Sequence, residues 1–115
     1  MIRRSVHEER YEKYPEGRLC THAKRRAKQK NLGYELDPFW VRERIDTGRC
    51  EVTNIPFGIK VGSPWMPSID RIDSSKGYTK ENSRLVVWAF NRARGTFSDD
   101  VMLRLARAIV ASHPY

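Results

Sequence analysis

Asp70 and Asn91 carry oxygen donors of the kind that metal-assisted chemistry uses. Asp70 lies in a short strand-like piece, Pro67-Ser-Ile-Asp-Arg-Ile-Asp73, and Asn91 in a helical segment, Ala89-Phe-Asn-Arg-Ala-Arg94. A hard cation such as Mg²⁺ takes oxygen ligands and leaves positions open for water and phosphate. A carboxylate at a strand end and an amide oxygen on a helix facing it could supply two of those ligands. Such an ion would stabilise charge developing on a phosphate and on its leaving oxygen during hydrolysis. Arg71, the next residue, has a guanidinium pKa above about 12 and is no base at neutral pH. It can hold a phosphate bidentately. Asp70 also fits a plainer role, in which it ends a strand and pairs with a neighbouring Arg.

The elements that would position these groups are legible in part. Arg18-Leu-Cys-Thr-His-Ala-Lys-Arg-Arg-Ala-Lys-Gln-Lys30 contains no acid, and Leu19, Ala23 and Ala27 recur every four residues. That spacing predicts a basic helix with a narrow apolar stripe, stopped by Asn31 and Gly33. Asp37-Pro38 reads as an N-cap with Pro at N1, opening a second helix through Phe39, Trp40, Val41 and Ile45. Residues 49–67, with Pro56, Pro64, Pro67, Gly58 and Gly62, read mostly as loop. Ile69 and Ile72 mark the first strand, and Ser74 to Asn82 is turn-rich. Ser83-Arg-Leu-Val-Val-Trp88 has strong strand propensity. A helix follows to Arg94, with Gly95 as its stop. Ser98 then caps a last helix, and Met102, Leu105, Ala106, Ile109 and Val110 form its apolar face. The order predicts a small single α+β domain over residues 1–115, with a basic helical part at 1–48, a two-stranded hairpin plus helix at about 67–95, and a C-terminal helix at about 98–112.

Composition narrows the partners. Twenty-two Lys plus Arg against fourteen Asp plus Glu give the 115 residues a formal net charge of +8, which points to a polyanion, most simply nucleic acid. No apolar run approaches the roughly 18 residues of a membrane span, and the charged start MIRRSVHEERYEKY lacks the apolar stretch of a secretory signal. A cytoplasmic protein with two free thiols, Cys20 and Cys50, is the expectation. Lys24, Arg25, Arg26 and Lys28 on the basic helix are candidate phosphate contacts, although a solvated helix face explains such a run equally well.

The segment from Pro67 to Arg94 resembles the ββα-metal core of HNH nucleases, of the His-Me finger superfamily, and particularly small phage-type HNH endonucleases. Asp70-Arg71 stands at the family's Asp-His position, Asn82 at its middle Asn, and Asn91 at the His or Asn of the following helix. Thr21 to Leu32, and Trp40 to Phe57 with Gly48-Arg-Cys-Glu-Val-Thr53, look like the leader of the phage proteins. The resemblance implies a metal-dependent endonuclease hydrolysing DNA phosphodiester bonds, on a double-stranded substrate, with Mg²⁺ or Mn²⁺. It implies metal ligation by Asp70 and Asn91, a phosphate grip by Arg71, loop ordering by Asn82, and backbone contacts by Lys76, Tyr78, Lys80, Arg92 and Arg94.

Two departures qualify it. Arg71 replaces the His that usually acts as general base, so three readings stand side by side. Asp73 or His22 activates the water; or water on the metal attacks without a dedicated base; or the fold only binds DNA. The CxxC pairs that carry structural zinc in many HNH proteins are also missing, since Thr53 stands three residues after Cys50. No structural zinc is expected. The rival functions are a catalytically silent DNA-binding module and an accessory protein of a phage packaging enzyme.

Overall fold

The computed structural model describes residues 6–114. Two short helices lead, α1 (Val6–Lys13) and α2 (Pro15–Gln29), followed by α3 (Pro38–Asp46). A long irregular stretch then reaches the hairpin, β1 (Pro67–Arg71) and β2 (Ser83–Val87), which runs into α4 (Trp88–Arg94) and α5 (Asp99–Ser112). The architecture is α+β, with one antiparallel pair in which Ile69 faces Leu85, and Asp70 faces Arg84.

Small residues decide how α2 packs. Cys20, Ala23 and Ala27 are buried on its inner face, and their short side chains let the helix approach Val41 of α3, and Ile69 and Leu85 of the hairpin. Cys50, Val86 and Val87 form a second cluster with Phe57 and Phe90 against it. The helix starts follow their local chemistry. Asp37 accepts from the Trp40 backbone N–H at 2.9 Å, and Ser98 accepts from that of Val101 at 3.3 Å. Gly95, at φ +55°, ends α4.

Three expectations need adjustment. The second strand stops at Val87, because the Trp88 backbone N–H donates to Met66 O at 2.8 Å and the chain turns into α4 there. Phe39, an aromatic that its type alone reads as core, is exposed, and only Trp40 of that pair packs on the core. The largest difference lies in α5, none of whose residues is buried. Leu105, Ile109 and Val110 are all more than half exposed. The helix leaves the body after Gly95 and is tied back at its first turn through Asp99. The radius of gyration, 15.2 Å, correspondingly exceeds the ~13 Å of a compact chain of this length. No helix among the described residues is long and apolar enough to cross a membrane.

The loop between the strands is fixed from outside. Tyr78 N–H donates to Gly33 O at 2.9 Å, and Glu35 N–H to Tyr78 O at 2.8 Å. A Cβ on Gly77 would come within 2.5 Å of Gly33 O, so glycine is required where these two backbones meet.

Candidate active site

Strand alternation turns Ile69 into the core and Asp70 to the opposite face, beneath α4. Asp70 is only 3% exposed. Its cross-strand neighbour Arg84 donates Nε to Asp70 Oδ2 at 2.8 Å. Arg94, from the end of α4, donates Nη1 to Asp70 Oδ1. The other Arg84 nitrogens form a bidentate pair with Asp99, at 2.9 and 2.7 Å. Those bonds hold the Asp99 carboxyl below its ordinary pKa, while Asp99 and Asp70 push Arg84 further up. The result is a chain of alternating charge, Arg94–Asp70–Arg84–Asp99, joining both strands to both C-terminal helices.

Asn91 stands on the α4 face that looks back at β1. Its Nδ2 donates to Ser68 Oγ at 2.7 Å and to Ile69 O at 3.1 Å. With the amide nitrogen held inward, Oδ1 is the free end of the side chain. Asn91 and Asp70 line one small recess together with Arg71 and Arg26. Asn91 also borders a wider cleft of about 610 Å³, shared with Arg18, His22, Arg26, Trp88 and Arg92. The structure thus brings His22 of α2 to the same cleft as Asn91. Burial, with Arg18, Arg25 and Arg26 nearby, lowers the His22 pKa below its ordinary value, which favours the neutral imidazole.

Asn82 is a loop tether by geometry. Its Oδ1 accepts from Asp73 N–H at 2.9 Å, and its Nδ2 donates to Asp73 O at 3.0 Å and Gly77 O at 2.9 Å. Asp73 borders neither opening. Its carboxylate accepts from Ser75 N–H at 3.0 Å and Ser75 Oγ at 2.6 Å, bonds that lower its pKa. Arg71 lies over the Tyr78 ring, 5.1 Å from its centroid, and donates Nη1 to Ser74 O and Lys76 O.

The expected phosphate contacts divide. Lys76, Lys80 and Arg92 are exposed. On α2, Arg26 faces the cleft, whereas Lys24, Arg25 and Lys28 open onto a different surface beside Tyr34 and Pro38. Two residues are corrected. Arg94 is 2% exposed, and four of its five N–H donors go to Asp70, Phe97 O, Arg71 O and Ile72 O, so burial keeps it from a phosphate. Tyr78 is 3% exposed, buried by the close approach of residues 33–35 and by Arg71.

Sequence reasoning missed Arg18 and Arg84 as site residues and read Trp88, with Trp40 and Phe90, as core, whereas Trp88 is 43% exposed. Arg18, His22 and Arg26 repeat every four residues and so share one face of α2, a signal that sorts the basic run. Arg84 follows from pairing Asp70 across a hairpin. Nothing in the sequence marks Trp88 as half-exposed.

The fit of a divalent cation can be judged from the donors. Among the described residues no three His, Cys, Asp or Glu side chains cluster as a metal site, so an ion cannot be caged by protein alone. A carboxylate has about four lone-pair sites; Arg84 and Arg94 occupy two at Asp70. Asp70 and Asn91 Oδ1 are two oxygen donors at the recess, and an ion there would take most of its ligands from water and phosphate oxygens. The two guanidinium charges oppose it in the absence of phosphate. Cys20 and Cys50 lie in separate core clusters.

No protein-family model matches the chain, and no curated protein does. The chain is similar to a solved structure of PacI, a rare-cutting HNH restriction endonuclease described for its perturbation of DNA. The two share 18% sequence identity, with a TM-score of 0.61 over 84% of this chain and 78% of that one. The chain therefore shares the fold of that endonuclease.

Proposed function

We propose that the protein is a metal-dependent DNA endonuclease of the HNH type, hydrolysing phosphodiester bonds in the cleft bordered by Asn91. The observation that carries this reading is the meeting of Asn91 and Asp70 at an opening that also holds Arg26, in a chain with an HNH-endonuclease fold and a net charge of +8. Asp70 and Asn91 would hold the cation, Mg²⁺ or Mn²⁺, which when bound supplies charge stabilisation on the phosphate and leaving oxygen.

The chain's own residues do the rest. Arg18, Arg26 and Arg92 hold the DNA backbone along the cleft, and Arg71 grips a phosphate oxygen in the smaller recess. Asn82 keeps the 73–82 loop, and with it the end of β1, in one geometry. A water oxygen attacks phosphorus as the P–O bond to the leaving sugar oxygen breaks. The neutral His22 takes the water's proton, and the leaving oxygen takes one from solvent. His22 is preferred to Asp73 because it borders the cleft and Asp73 is turned onto Ser75.

The clamp of two arginines on Asp70 favours a second reading, a catalytically silent DNA-binding module on the same fold. Incubation with supercoiled plasmid separates the two. The nuclease nicks or linearises it with Mg²⁺ or Mn²⁺ and not with EDTA; the module shifts its mobility and leaves it intact under all three conditions.

A further inference from the structure

We infer that the cleft between α2 and α4 takes an unpaired nucleobase against Trp88, so that single-stranded or locally unwound DNA is bound in preference to regular duplex. The inference rests on the DNA-binding part of the function proposed above and specifies the substrate form.

Trp88 is 43% exposed, although Val86 and Val87 just before it are buried and Phe90 just after it packs on the core. Tryptophan is on average among the well-buried residues, and this one is not exposed through a loose backbone. Its backbone N–H is bonded to Met66 O at 2.8 Å, and that of Ala89 to Pro64 O at 2.9 Å. A rigid corner therefore holds a large aromatic surface at the wall of an open cleft. Arg92, one helical turn on, places its guanidinium carbon 5.8 Å from the Trp88 ring centroid. Arg18 and Arg26 border the same cleft from α2.

A fixed indole among cations is suited to one class of ligand. Single strands are bound by basic grooves that follow the backbone and by aromatic rings on which bases stack, an arrangement that accepts any base. Bases inside a duplex are already stacked and paired, so engaging the indole would first require extruding one. The cleft, about 610 Å³, lies in the ordinary ~300–1,000 Å³ range of small-ligand sites, wide enough for a base. Duplex held only by its phosphates would leave Trp88 without a role.

The test compares the full-length protein with Trp88→Ala and Trp88→Phe, in EDTA, by anisotropy of a labelled oligonucleotide, single-stranded or annealed to its complement. The parent is expected to bind the single strand more tightly. Trp88→Ala should lose about 5- to 150-fold on the single strand, with duplex affinity within about twofold of the parent, and Phe should keep most of the affinity. Quenching of indole emission by the unlabelled single strand gives a second readout, and Trp88→Phe, which retains Trp40 and Trp65, should lose it. Equal single-strand affinity in Trp88→Ala, undiminished quenching in Trp88→Phe, or a parent that prefers duplex would overturn the inference while leaving DNA binding intact. A parent that binds neither form would overturn the DNA-binding reading with it.

Discussion

Arg94 lies under the end of β1 with its guanidinium against the Asp70 carboxylate, both side chains almost wholly buried. Three further donors close on Phe97 O at 2.8 Å, Arg71 O at 2.8 Å and Ile72 O at 2.7 Å. The strand end that carries the candidate site is thus pinned by one planar side chain from α4.

Arg94→Ala should therefore destabilise the fold by about 3–5 kcal/mol, because it leaves a buried carboxylate short of a partner and three carbonyls without a donor. Lysine should recover less than half, since an ammonium cannot reach acceptors arranged around a planar fork. Urea unfolding measures both. A loss under about 1 kcal/mol for Ala would mean that Asp70 is held by Arg84 alone.

Asp99 makes a pH-dependent anchor for α5. Hydrogen bonds from Arg84 depress its folded pKa, so its stabilising contribution is present above the unfolded value near 3.8 and is lost as pH falls through the folded one. The parent should be more stable than Asp99→Asn at pH 7, and the gap should close on acidification below about pH 4. A gap independent of pH would deny the ion pair any part in anchoring the helix.

Salt dependence should separate the two sides of α2. Replacing Arg18 and Arg26 by Ala should flatten the plot of log affinity against log salt by about two, near one for each phosphate that is no longer neutralised. Replacing Lys24 and Lys28, which open onto another surface, should change the slope by less than about one. The reverse order would move the DNA to the Tyr34 side of the helix.

If His22 is the proton acceptor, cleavage should rise with pH and level off, with a midpoint below about 6.5, because burial and the neighbouring arginines disfavour the imidazolium. His22→Gln should lose about 100-fold or more and flatten the profile. The same midpoint in the variant would assign the titration to another group.

Much of this arrangement can be read from residue spacing. The Ala23/Ala27 stripe, the caps at Asp37 and Ser98, and the hairpin flanking a turn-rich loop all follow from local chemistry, which a single sequence carries. What it does not carry is what covers a face. The apolar residues of α5 announce an amphipathic helix, yet periodicity says nothing of a partner, and within the described residues that face remains open. Lys76, Gly77 and Lys80 around Tyr78 suggest a surface position for it, but its burial depends on Gly33, 45 positions earlier. Arg94 reads as another surface cation for the same reason. Its burial requires the Asp70 carboxylate and three carbonyls to converge on it, a relation that exists only once β1 and α4 are packed.

The central claim is that Asn91 and Asp70 form a cleavage site rather than a structural corner of a binding module. It is tested most directly by the rate of supercoiled plasmid nicking in Mg²⁺ by the parent and by Asn91→Ala, with DNA affinity measured on the same preparations in EDTA. The account predicts cleavage by the parent, loss of at least about 100-fold in the variant, and affinities within about threefold of each other. Nicking by Asn91→Ala at the parental rate, or a parent that binds plasmid and never cuts it, would contradict it.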